Sequence, residues 1–215
     1  MSRTAIVIVA RDPRGAKRRL RSALGPKDRE RLSRAMLADV LDACRGAGAE
    51  VLVVTESAGV ARMARTSGAR VHRTEARGTR ACARIGVGVA VARGADAVLV
   101  LPGDLPLLRA GDVRRLLAAG ARDGVVVAAD RHRRGTNALL LRPPGAIAPR
   151  FGRASFTAHV AAARRQDLRV RTPRITGLGL DIDTPDDLRV LRRKRSLAGE
   201  RTAALLWPSR SGSQK

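Results

Sequence analysis

Three aspartates sit where a divalent metal would need them. Asp104 lies in PGDLPLL (102–108), directly after the apolar run Ala97–Leu101, and Asp181 and Asp183 alternate in DIDTPDDL (181–188). An uninterrupted apolar run reads as a strand covered on both faces, and open α/β sheets bind ligands beyond the carboxyl ends of such strands. Asp181 and Asp183 flank Ile182, so in an extended segment both carboxylates face one way while Ile182 points into the core. Magnesium, a hard cation, takes one or two carboxylates together with substrate phosphates and water. Cationic turns supply the complement. RDPRGAKRRL (11–20) follows a first apolar run, Ala5–Ala10, and carries Arg11, Arg14, Lys17, Arg18 and Arg19 around Pro13 and Gly15, while Arg131–Gly135 forms a second basic turn. Metal and cations at strand ends suit phosphoryl or nucleotidyl transfer, in which the protein positions the attacking oxygen and stabilises phosphate charge.

Two further groups invite assignment. Ser155 precedes the helical run FTAHVAAARRQ (156–166) and reads as its N-cap, an end that attracts anions. His159 stands four residues on, on the same helix face, but no nucleophile elbow or third member accompanies a Ser/His pair. Asp186 and Asp187 occupy the first turn of the helix opened by Thr184 and Pro185 and are assigned to dipole and capping roles.

The elements that must position these groups follow from periodicity. Strands are expected at 5–10, 50–55, 69–73, 97–101, 124–129, 136–141 and 168–172; helices are expected at 27–47, 57–67, from Gly78 to Gly94, at 110–119, after Ser155 and after Thr184. Leu32, Met36, Leu37, Val40, Leu41 and Cys44 make one buried stripe. Gly86 and Gly88 weaken their helix, which close packing would explain. A chain of 215 residues with 44% hydrophobic content fits one α/β domain. The stretch from about Ser196, ending SRSGSQK, reads as a mobile tail, so the domain is placed at 1–195 and the tail at 196–215.

The net charge of +24 comes from 43 Lys+Arg against 19 acidic residues, with Lys17, Lys27, Lys194 and Lys215 the only lysines. Such a charge calls for anionic partners. Phe151, Phe156 and Trp207 are the only aromatics, which leaves base stacking almost no platform and argues against a specific nucleic-acid partner. Cys44 and Cys82 have no metal or redox spacing and are expected to be buried thiols. No apolar run reaches the roughly 18 residues of a membrane span. A soluble cytoplasmic protein is expected, and the sequence sets no oligomeric state.

Taken together, AKRRL (16–20), PGDLPLL (102–108), GTNALLL (135–141), FGRASFTAH (151–159) and DIDTPDDL (181–188) resemble the phosphoenolpyruvate / 2-phospho-L-lactate guanylyltransferases of coenzyme F-420 biosynthesis, over about Ala5–Leu191. The resemblance implies a single-domain nucleotidyltransferase-like (GT-A-like) α/β fold, a mostly parallel mixed sheet flanked by helices. It implies magnesium on Asp104, Asp181 and Asp183, with Asp104, Asp183 and Lys17 catalytic. Thr136, Gly152 and Ser155 would hold the phosphorylated three-carbon acid, and Arg11, Lys17, Gly78 and Gly103 the GTP. This chain has Arg11 where members commonly have lysine, and Gly78-Thr79-Arg80 where they have Gly-Leu-Asn. A sugar-nucleotide transferase of the same fold, or a basic nucleic-acid-binding protein, are the competing readings.

Overall fold

A computed structural model describes residues 3–120 and 123–208. Seven strands form one sheet: β1 (Thr4–Val9), β2 (Glu50–Thr55), β3 (Arg70–Arg73), β4 (Ala97–Pro102), β5 (Gly124–Ala129), β6 (Thr136–Arg142) and β7 (Val170–Arg171), in the order β3-β2-β1-β4-β6-β5-β7. β3, β2, β1 and β4 run parallel, and β6 is antiparallel to both β4 and β5. That reversal brings the first residues of β6 to the edge where β1 and β4 end.

Flanking the sheet are α1 (Pro26–Arg45), α2 (Ala58–Thr66), α3 (Thr79–Ala92), α4 (Ala110–Ala119), α5 (Ser155–Arg164), α6 (Pro185–Arg193) and α7 (Glu200–Leu206). Alternation along β1 divides its side chains between two cores: Ile6 and Ile8 pack with the α1 stripe of Leu37, Val40, Leu41 and Cys44, whereas Ala5, Val7 and Val9 pack with Cys82 and Ala83 of α3. Gly86 lets α3 approach this second face, since a Cβ there would lie 2.3 Å from Val7 Cγ1. At Gly88 a Cβ would meet open space, so packing accounts for one glycine and not the other. Both cysteines are buried free thiols, and burial pushes Cys44 up to about 12.

The C-terminal segment departs from the mobile tail expected from Ser196 onward. A 3-10 turn (Arg195–Leu197) leads into α7, whose Thr202 is fully buried. Buried Asp39 of α1 holds the docking, its two carboxylate oxygens accepting from the backbone N–H groups of Arg201 (3.0 Å) and Thr202 (2.9 Å). A long-range cap of this kind has no local sequence signal. Residues 209–215, the rest of the expected tail, lie outside the described residues. Replacing Asp39 by Ala is expected to cost about 1–2 kcal/mol, the scale of a lost cap, and to lower Tm by roughly 2–8 °C. Faster amide exchange confined to α7 would accompany the loss.

Candidate active site

β1 and β4 pair in parallel with Val9 opposite Pro102, so the basic loop after β1 and the Gly103–Asp104 turn leave the sheet side by side. Gly103 permits that exit, since a Cβ would come within 2.9 Å of Leu37 Cδ1. In the basic loop Lys17 adopts left-handed backbone (φ 54°) ahead of a 3-10 turn, Arg18–Leu20, pinned by the fully buried Leu20. This bend turns the lysine inward until its side chain is only 9% exposed. Its Nζ donates to Asp104 Oδ2 and, at 3.0 Å, to Asp183 Oδ1. Arg19 Nη2 lies 3.2 Å from Asp183 Oδ2. Arg11 stands exposed at the mouth of the same loop.

Asp181 and Asp183 were expected on a strand end; they sit instead on an irregular connection between a 3-10 turn (Thr176–Leu178) and α6. The alternation survives without sheet pairing because Leu180 (3% exposed) and Ile182 (0%) anchor the segment in a third core with Leu20, Leu32 and Met36. Thr184 and Asp187 then form a capping box, and Asp187 Oδ2 also accepts from Asp183 N at 3.0 Å. Arg131 pairs with both Asp186 and Asp187, so the second acidic pair is structural, as read. The same contact draws Arg131 away from the role of a free cation in the 131–135 turn. That turn is organised by Asp130, which accepts from the backbone N–H groups of His132, Arg134 and Gly135 at 2.8–3.0 Å.

The carboxylates differ in proton affinity. Burial first, then the charges of Asp104 and Asp183, push Asp181 up to about 6, against an opposing hydrogen bond from Asn137. Burial alone would raise Asp183 too, but Lys17 and Arg19 outweigh it and hold that carboxyl below its usual value. Lys17 is burdened by burial, yet Asp104 and Asp183 keep it above the ordinary lysine range. For Asp181 the folded state binds more protons than the unfolded chain between its ordinary value of 3.8 and about 6. Stability therefore falls as pH rises through that window. Asp181→Asn should raise stability at pH 7.5 in chelator by at most about 3 kcal/mol, seen as a higher Tm, and leave Tm near pH 3.5 almost unchanged, as thermal melts at the two pH values would show.

Among the described residues no three His, Cys, Asp or Glu side chains form a ready-made metal cage. The Lys17 ammonium lies between Asp104 and Asp183, and Asn137 Nδ2 holds Asp181 Oδ1 at 3.3 Å. The donor set nonetheless fits a hard cation. Asp104 Oδ1 is buried with no hydrogen-bond partner among the described residues, and magnesium needs only one or two protein carboxylates when phosphates and water complete its shell.

A β-bulge builds the neighbouring subsite. Ala128 pairs with Ala138 but Ala129 pairs with Thr136, leaving Asn137 as an extra residue, and such insertions re-aim side chains. Asn137 Nδ2 donates to Leu178 O (2.9 Å) as well as to Asp181, while Thr136 turns to α5. There Thr136 N donates to Ser155 Oγ at 3.0 Å, and Thr136 Oγ1 lies 3.0 Å from His159 Nδ1. Ser155 is the first residue of α5 and not its N-cap; Ala154, in left-handed backbone at φ 54°, holds the cap position, so the serine hydroxyl is spent across the pocket on β6. Gly152 (φ 131°) lies exposed just before it. Gly78 (φ 90°) is the N-cap of α3 and sends Arg80 toward this segment: Arg80 Nε donates to Phe151 O at 3.4 Å, and Nη2 would lie 3.9 Å from a Cβ at Gly152.

The structure therefore gathers Lys17, Asp104, Asp181 and Asp183 into one polar cluster and Thr136, Ser155 and Gly152 into another, with Asn137 joining them. Asn137, Asp130 and Arg80 were not singled out as site residues. Of these only Asp130 carried a local signal, an Asp ahead of a glycine turn.

The model of the family described as guanylyl transferase CofC like matches residues 4–199. The chain belongs to this family. One relative, the phosphoenolpyruvate guanylyltransferase of Rubrobacter xylanophilus, is 44% identical over 184 residues, covering 85% of this chain and 90% of its own. The 2-phospho-L-lactate guanylyltransferase of Methanothermobacter thermautotrophicus is 36% identical over 188 residues, with 87% and 83% covered. Family membership makes the chain a nucleotidyltransferase. Solved structures agree on the fold: a putative nucleotide-diphospho-sugar transferase from Desulfovibrio desulfuricans superposes with a TM-score of 0.81 at 20% identity, over 96% of this chain and 94% of that one. A Mycobacterium tuberculosis protein solved in complex with manganese gives a TM-score of 0.57 at 23% identity, over 89% and 98%. No helix among the described residues is long and apolar enough to cross a membrane.

Proposed function

We propose that this chain transfers GMP from GTP to phosphoenolpyruvate, or to 2-phospho-L-lactate, in coenzyme F-420 biosynthesis, with release of pyrophosphate. The observation that carries this reading is the continuity of the two clusters. Asn137 bonds Asp181 on one side while its neighbour Thr136 meets Ser155 and His159 on the other, so a nucleotide beside Lys17 and an acid beside Thr136 would share one edge of the sheet.

Asp104, Asp181 and Asp183 would hold magnesium, which when bound neutralises phosphate charge and polarises the α-phosphorus. Lys17, raised above its ordinary pKa, stays protonated throughout the physiological range and offers a fixed cation to the triphosphate. Arg11 and the backbone turns at Gly78 and Gly103 border the space assigned to the nucleotide. Thr136, Ser155 and Gly152 orient the acid so that its phosphate oxygen attacks the α-phosphorus in line. One O–P bond forms, the α–β bridging bond breaks, and the pyrophosphate leaves with that electron pair. The relatives' names support this chemistry.

Purified protein with GTP, magnesium and each acid in turn should release pyrophosphate, fastest with phosphoenolpyruvate. Release of a nucleoside diphosphate from a nucleotide sugar, with no pyrophosphate from GTP, would replace this reading with glycosyl transfer.

A further inference from the structure

The hydrogen bond between Thr136 and His159 has a direction, and the surrounding atoms set it. His159 is fully buried, edge-on to Phe151 at 5.4 Å between ring centroids. Its Nε2 lies 2.7 Å from the backbone nitrogen of Arg150. A backbone N–H can only donate, so Nε2 must accept with its lone pair. Burial, reinforced by the Arg150 and Arg80 cations, pushes the imidazole down to about 4, so near neutral pH it carries one proton, and Nδ1 is the atom left to bear it. Nδ1–H then donates to Thr136 Oγ1 across 3.0 Å. Receiving that bond, the threonine hydroxyl cannot spend its own hydrogen on the histidine. Ser155 Oγ is placed alike, accepting from Thr136 N and keeping its own hydrogen.

We propose that His159 is a positioning residue that commits the Thr136 hydroxyl, beside that of Ser155, to donating a hydrogen bond to an anionic oxygen of the acceptor acid. The proposal rests on the reading of Thr136 and Ser155 as the acid's subsite. It gives a neutral pair of hydroxyls the donor polarity of an anion site without a charge, and it assigns the buried imidazole a part in acid binding that requires no proton transfer.

Two measurements separate this proposal from that reading. Long-range 1H–15N spectra of the native chain, which has three histidines, should show one imidazole with a protonated Nδ1 and a bare Nε2 from pH 5.5 to 8, assigned by its loss in His159→Gln. An Nε2–H tautomer or an imidazolium at pH 7 would overturn the proposal whatever the enzyme's activity. The expected tautomer in a chain that makes no pyrophosphate would defeat the guanylyltransferase reading and the proposed role in acid binding with it. In steady-state assays His159→Gln keeps an acceptor for Arg150 N but loses the donor to Thr136, and should raise KM for the acid about tenfold with KM for GTP unchanged. His159→Asn, whose amide nitrogen can stand near the Nδ1 position, should recover most of that loss. Thr136→Val should raise the acid KM similarly, and adding His159→Gln to it should cost nothing more. Additive effects in the double variant, or equal rises in both KM values, would reduce His159 to a packing residue. Should His159→Gln fail to fold, His159→Asn assigns the imidazole signal in its place and the spectra still decide.

Discussion

Replacing Asp104 by Asn is expected to lower turnover by a hundredfold or more, about 3 kcal/mol in the barrier, the scale on which a preorganised electrostatic group acts. The substitution is nearly isosteric. The amide oxygen can still accept from Lys17, the one hydrogen bond the Asp104 side chain makes among the described residues, so melting temperature should change little. The charge is lost, together with the buried oxygen Oδ1 that stands without a partner. A buried acceptor left unpaired costs on the order of 1–3 kcal/mol, and a bound cation would relieve that cost. Asp183→Asn should behave alike in turnover, with a larger loss of stability because its carboxylate answers both Lys17 and Arg19. Single-turnover rates at saturating magnesium measure the effect, and near-normal rates in both variants would remove these carboxylates from the mechanism.

Lys17→Met carries the second large expectation, a fall of about a hundredfold in kcat/KM for GTP. Methionine matches the stem and deletes the ammonium, leaving Asp104 and Asp183 to face each other across the gap that Nζ bridges. The sign of the accompanying pH effect follows from Asp183. Burial raises that carboxyl and Lys17 is the main influence lowering it, so without the lysine its pKa climbs and the acid limb of the rate profile moves to higher pH. An unchanged acid limb, or a loss confined to the acid's KM, would place Lys17 outside the nucleotide's site.

The strands and helices that carry the site were legible because their signals are local. Unbroken runs such as AVLVL and the three-four stripe of α1 record burial directly, and PGD and DID each pair a chain break or alternation with an acid. What escaped was set by contacts distant in sequence. Nothing near Lys17 announces that its ammonium would sit between carboxylates 87 and 166 positions away, and nothing near Ser196 announces that Asp39, 162 residues before Arg201, would cap the last helix. Asn137 reads as an ordinary strand residue within GTNALLL. Its bonds to Leu178 and Asp181 arise only once the sheet end and the 176–183 connection meet. Ser155 was rightly placed beside a helix start, but the partner of its hydroxyl is on β6.

The irregular pairing at the head of β6 also makes the enzyme sensitive to chain length at a single residue. With Asn137 excised, Thr136 would join the regular ladder opposite Ala129 and directly before Ala138, its side chain still on the α5 face, while the amide that ties this strand end to Leu178 and Asp181 would be gone. Such a deletion would remove one amide and no charge, yet part the two halves of the pocket, so insertions and deletions should be far less tolerated here than in the 143–150 connection that follows the same strand.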